Sequence, residues 1–163
     1  MEQTRTYSWT DPREQDAAAR GMAGIEFLHR LRAGDLGRTP MMATLGFELI
    51  AVDDGHVEFE CLAGDHMYNP IGVVAGGVAA TLLDAAAGCA VHTTLPTGTG
   101  YTTVDLSVHY LRPITTDLGP IRAIGTVLNR GRRMALGRAE VRDGANRLLA
   151  HATSSCMLFP TGG

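Results

Sequence analysis

Cysteine is scarce in this chain: Cys61, Cys89 and Cys156 stand far apart, with no C-x-x-C spacing. An odd, scattered set of this kind argues against a disulfide framework. It reads as small core residues in a reducing compartment. Surplus charge is missing too. A net charge of −3, with 19% charged residues over 163 positions, leaves no basic footprint for nucleic acid or an anionic membrane surface. The opening residues, MEQTRTYSWTDP, contain no apolar core of a secretion signal, so the cytoplasm is the expected location. No G-x-S-x-G elbow is present, and no His, Cys and carboxylate cluster has metal-ligand spacing. The glycines at 98–100 fall short of a dinucleotide fingerprint. Neither a metal nor a cofactor is expected.

What is present is an apolar stretch, VVAGGVAATLLDAAAG at 73–88, interrupted by one carboxylate, Asp84. The run is too short and too broken to cross a bilayer, so a buried core helix is predicted. An ionised carboxylate kept in such a place costs several kcal/mol or more unless it is paired, on the order given by ion desolvation. Gly77, Thr81, Asp84 and Gly88 recur at i, i+4, i+7 and i+11, one stripe of small or polar residues. The stripe serves either a close helix contact, with Asp84 held by a neighbour, or a site in which Asp84 is a base or nucleophile. The desolvation cost favours the site.

The surrounding pattern frames that helix. Asp11, Pro12 and Glu14 form a helix start, Met22, Ile25, Leu28 and Leu31 keep helical spacing, and Gly34 is a stop. One leading helix is predicted there, and a short second helix over RTPMMATLG. Strand patterns follow in LGFELIAV and HVEFECLA around a DDG turn, then in four further segments between 101 and 159. In YTTVDLSVHYL strict alternation predicts Val104, Leu106, Val108 and Tyr110 on one face and Thr103, Asp105, Ser107 and His109 on the other. A helix that is apolar nearly all round is best enclosed by a curved antiparallel sheet, an α+β hotdog arrangement. Residues 1–38 are then a helical extension and 39–163 the hotdog domain.

Gly76 and Gly77 fall at the expected helix start, where backbone N–H groups lack intrahelical partners and carry the positive end of the dipole. Gly76 can therefore serve an oxyanion hole, or simply permit tight helix–sheet packing. Gly76 and Asp84 are eight residues apart, roughly 12 Å along a helix. A nucleophile and an oxyanion donor must both lie about 3 Å from one reacting group. One helix cannot do this, whereas two antiparallel copies can. The catalytic reading thus predicts a two-fold dimer with shared sites, taken further to a homotetramer.

YNPIGVVAGGVAATLLD, GYTTVDLSVHYLRPI and NRGRRMALGRAEV together resemble the PaaI-type acyl-CoA thioesterases of the hotdog superfamily. The resemblance implies hydrolysis of acyl-CoA thioesters, with coenzyme A present only as part of the substrate. It implies that Asn69 positions the thioester or water, Gly76 gives the oxyanion N–H, and Asp84 is nucleophile or general base. Thr103 matches a hydroxyl position near the carboxylate. Gly77 and Thr81 would line the substrate, and Arg112, Arg130, Arg132 and Arg133 would meet coenzyme A phosphates, unless the basic turn is only a solvated hairpin tip. The chain departs from the family motif at Ala75, where the motif has histidine. A non-catalytic acyl-CoA-binding protein is the alternative.

Overall fold

A computed structural model describes residues 1–161. The leading helical segment folds as two helices, α1 (Pro12–Arg20) and α2 (Gly24–Ala33), followed by α3 (Pro40–Leu45). The Asp11 carboxylate caps the Arg13 N–H with Pro12 behind it, and Gly34 ends α2 in the left-handed conformation, as the start and stop residues predict. The break between α1 and α2 was not predicted. Its cause lies far away in sequence: a Cβ on Gly24 would stand 1.8 Å from the His92 carbonyl oxygen. The Gly24 N–H donates to the Leu95 carbonyl at 3.0 Å, so α2 must begin there.

The sheet is six-stranded and antiparallel in the order β1-β2-β4-β5-β6-β3. Its strands are β1 (Phe47–Asp53), β2 (His56–Leu62), β3 (Thr99–Tyr110), β4 (Pro120–Arg130), β5 (Met134–Arg142) and β6 (Leu148–Pro160). The long helix α4 (Gly76–Thr93) lies across the sheet's concave face and begins at the predicted glycine pair. Its Leu82, Leu83, Ala86, Ala87, Ala90 and Val91 are fully buried. Alanines there bring the helix backbone down to the strands. At Gly125 of β4 a Cβ would come within 2.0 Å of the Ala86 carbonyl oxygen, so the strand can pass beneath the helix only without a side chain. This is the hotdog arrangement.

Strand β3 departs from strict alternation. Thr103 pairs with Cys156 and Asp105 with Ser155, which leaves Val104 as the extra residue of a β-bulge. Before the bulge the odd residues Tyr101 and Thr103 face α4; after it the even residues Leu106 and Val108 do. Val104, predicted to share the apolar face, is instead 54% exposed. A one-residue insertion reverses which side chains point inward. Without it, Thr103 would stand on the outer surface.

Candidate active site

Asp84 is half-buried on the one flank of α4 that the sheet leaves open, alongside Ala80, Thr81 and Ala85. The bulge brings Thr103 against it, and the Thr103 hydroxyl donates to Asp84 Oδ1 at 2.8 Å. A second oxygen, Oδ2, remains available for a proton. Thr81 uses its own hydroxyl within the helix, donating to the Gly77 carbonyl at 2.9 Å. Asp84 and Thr81 border a cavity of about 400 Å³ whose walls come from α2, α3 and the sheet, among them Phe27, Met42, Phe47 and Phe59. The leading helices are thus part of this cavity's wall.

A second cavity, about 350 Å³, holds Asn69, Gly76 and Arg112 together with Tyr110. Asn69 shapes the loop before α4. Its side-chain oxygen accepts from the Ile71 N–H at 3.1 Å and the Val73 N–H at 3.3 Å. That carbonyl is committed to the turn, which leaves the amide NH₂ as the end able to meet a ligand. Ala75 is the N-cap of α4 and supplies no side-chain cap. The N–H groups of Gly76 and Gly77 accordingly have no hydrogen-bond partner among the described residues, and both glycines are exposed. They form an uncapped helix start with the positive dipole end facing solvent.

Gly76 is used on its other side as well. A Cβ there would stand 3.1 Å from the Tyr110 ring, and the Tyr110 hydroxyl donates to the Gly76 carbonyl at 2.9 Å. The glycine therefore permits tight packing and presents its N–H together. Gly88, the last residue of the small-residue stripe, is a packing position: a Cβ there would stand 2.8 Å from the Tyr101 ring. At Gly77 the same position is open.

The structure brings Asp84, Thr81 and Thr103 together, and separately Asn69, Gly76 and Arg112. It does not join the two groups within one chain. The Arg112 guanidinium donates to the Leu148 carbonyl at 2.6 Å and stays exposed. Arg130, Arg132 and Arg133 are exposed around the β4–β5 turn, border neither cavity, and form no ion pair among the described residues. Sequence reasoning gave no functional role to Tyr110, Tyr101, Cys89 or His92. The last three border the Asp84 cavity near the C-terminal end of α4. Burial pushes the Cys89 thiol up to about 12 and raises the Tyr101 phenol well above its usual value, so neither ionises near neutrality.

Residues 71–150 match the family model of the thioesterase superfamily. A Halobacterium salinarum protein with a provisional esterase name is 36% identical over 83 residues, 48% of this chain and 55% of that protein. The match thus spans about half the length of that curated relative. A solved phenylacetic acid degradation-related protein from Ralstonia eutropha is 31% identical, with a TM-score of 0.73, covering 80% of this chain and 98% of that one. A Streptococcus mutans protein solved with acetyl CoA bound shares the fold at 23% identity and a TM-score of 0.64, over 70% of this chain and 89% of that one. The family-model match and the 31% identity to the Ralstonia eutropha protein show that this chain belongs to the thioesterase superfamily.

Proposed function

We propose that this chain hydrolyses acyl-CoA thioesters at sites shared between two copies of itself. Membership of the superfamily supports thioester hydrolysis as the reaction class. The observation that carries the fuller reading is the pairing of Thr103 with Asp84 at 2.8 Å, on a half-buried helix flank that borders a cavity. Thr103 fixes one carboxylate oxygen and leaves the other for chemistry. Acetyl CoA on the Streptococcus mutans relative supports a coenzyme A thioester as the substrate.

With two α4 helices antiparallel, the Gly76 N–H of a second copy comes close to Asp84 of the first. Water, deprotonated by Asp84, attacks the thioester carbonyl carbon. The negative charge that develops on the carbonyl oxygen is held by the uncapped N–H groups at Gly76 and Gly77. The C–S bond then breaks, and the proton on Asp84 passes to the departing thiolate, giving free acid and coenzyme A. Asn69 holds the loop and offers its amide NH₂ to the carbonyl or the water. Arg112 and the basic turn at Arg130, Arg132 and Arg133 would meet the coenzyme's phosphates as exposed cations. The pair assembles further into a tetramer, and a reducing cytoplasm suits its free thiols.

Ala75 favours a second reading, an acyl-CoA-binding protein without turnover, because the motif histidine beside the thioester is absent. Thiol release measured over a panel of acyl-CoAs separates the two. Turnover that scales with enzyme supports hydrolysis. Binding of the same panel without thiol release supports the second reading.

A further inference from the structure

The cavity beside Asp84 is lined by apolar side chains with a few polar ones among them. Asp84 and Thr81 border it. Further along α4 it is lined by Cys89 and His92, with Tyr101 of β3 beside them. The Tyr101 hydroxyl and the Cys89 thiol lie close enough to raise or lower each other's ionisation. His92 has no such partner. Its ring packs between Phe27 and Tyr101, with centroids 5.5 and 5.4 Å away, and a Cβ on Gly24 would come within 2.5 Å of its Cδ2. Neither ring nitrogen has a hydrogen-bond partner among the described residues, and neither is sealed from open space. A polar group held in a wall of rings, open to a cavity and unpaired, is positioned to meet something that enters the cavity.

We propose that His92 is a specificity-determining residue, and that the acyl group preferred by this site carries a hydroxyl at its far end. The proposal rests on the reading of Asp84 as the hydrolytic group. Asp84 and His92 are eight residues apart, so about 12 Å of helix separates them. With the thioester carbonyl about 3 Å from the carboxylate and a hydrogen bond of about 3 Å to the imidazole, roughly 6–7 Å remains for the acyl group. A straight acyl chain of about six carbons spans that gap. Burial pushes His92 down to about 4, so at neutral pH its imidazole is uncharged and offers one donor and one acceptor. A hydroxyl matches that pair. An anionic tail would find no positive charge there, and a methyl tail would leave the imidazole desolvated and unpaired.

The test compares 6-hydroxyhexanoyl-CoA with heptanoyl-CoA, which differ by a hydroxyl in place of a methyl. The readout is the ratio of their kcat/KM values. His92→Leu should lower the hydroxyl-to-methyl ratio about tenfold, the value of one good hydrogen bond. His92→Gln, which keeps a donor and an acceptor, should hold the ratio within about threefold of wild type. Because the imidazole is neutral throughout, the wild-type ratio should be flat from pH 6 to 8. A ratio unchanged in His92→Leu overturns the proposal, even if both rates fall, since equal losses mark a packing role. If no thioester is turned over, the same two acyl chains are presented as non-hydrolysable ketone analogues of the CoA thioesters, and their Kd values are measured by calorimetry. A tenfold shift of the Kd ratio in His92→Leu then supports His92 while the hydrolytic reading fails. An unchanged ratio, or no binding of either analogue, overturns the proposal.

Discussion

Two inactive variants should restore each other. Gly76→Pro removes the proposed oxyanion N–H at a helix start, where proline's fixed φ is tolerated. Tyr110 lies 3.1 Å from where the new Cβ would be, so its ring must give by a few tenths of an ångström. At 55% exposure it has room to do so, and the melting temperature should fall by only a few degrees. Asp84→Ala removes the carboxylate about 12 Å along the same helix. Each variant alone loses one component from every site of its dimer. Mixed at equal amounts, unfolded and refolded, random pairing makes half of the dimers heterodimers. In each of these one site carries both lesions and the other carries neither, so activity should return to about a quarter of wild type. Thiol release is the assay, with a mass-tagged subunit to demonstrate mixing. Mixing without recovered activity would refute the shared site and require both components to come from one chain.

Thr103→Val keeps the strand shape and removes the hydroxyl that holds Asp84. It should lower kcat/KM about tenfold or more with unchanged circular dichroism, since a hydrogen bond to a charged group is worth about 1.5–3 kcal/mol. Gly125→Val would drive a side chain into the Ala86 carbonyl. It should lower the urea midpoint by an overpacking cost of about 1–3 kcal/mol or more, or prevent folding. Ala75→His should raise kcat/KM up to about tenfold if it restores a hydrogen bond at the thioester, with Tm separating this from overpacking. His92, held at about 4 when folded against 6.5 ordinarily, binds fewer protons in the native state than in the unfolded one. Its neutral form therefore favours folding fully above pH 6.5, and that contribution is lost as pH falls through 4. Urea unfolding should show stability falling over this window in wild type and a flatter profile in His92→Phe.

Local signals were legible wherever short-range chemistry decides the structure. The Asp11–Pro12 start, the Gly34 stop, the hairpin at Gly55 and the opening of α4 at Gly76 each depend on a few neighbouring residues. The misses depend on contacts between distant segments. The break before Gly24 exists because α2 must clear the His92 carbonyl, and nothing near Gly24 records that demand. Alternation in β3 looks unbroken, so the bulge at Val104 leaves no trace in the pattern. The same holds at the site. Asp84 stood out because a carboxylate is foreign to such a helix. His92 did not, because its surroundings come from α2 and β3. Gly76 was legible as a helix start, but the Tyr110 ring on its other face became visible only once β3 was in place.

The central claim is that Asp84 performs the chemistry, and Asp84→Asn tests it most directly, because the amide keeps the carboxylate's shape and can still accept from Thr103. Steady-state thiol release from the best acyl-CoA substrate should fall in kcat by about 10²–10⁴-fold, the usual contribution of a positioned acid or base, with little change in Tm. An Asp84→Asn protein that keeps wild-type kcat would contradict the account.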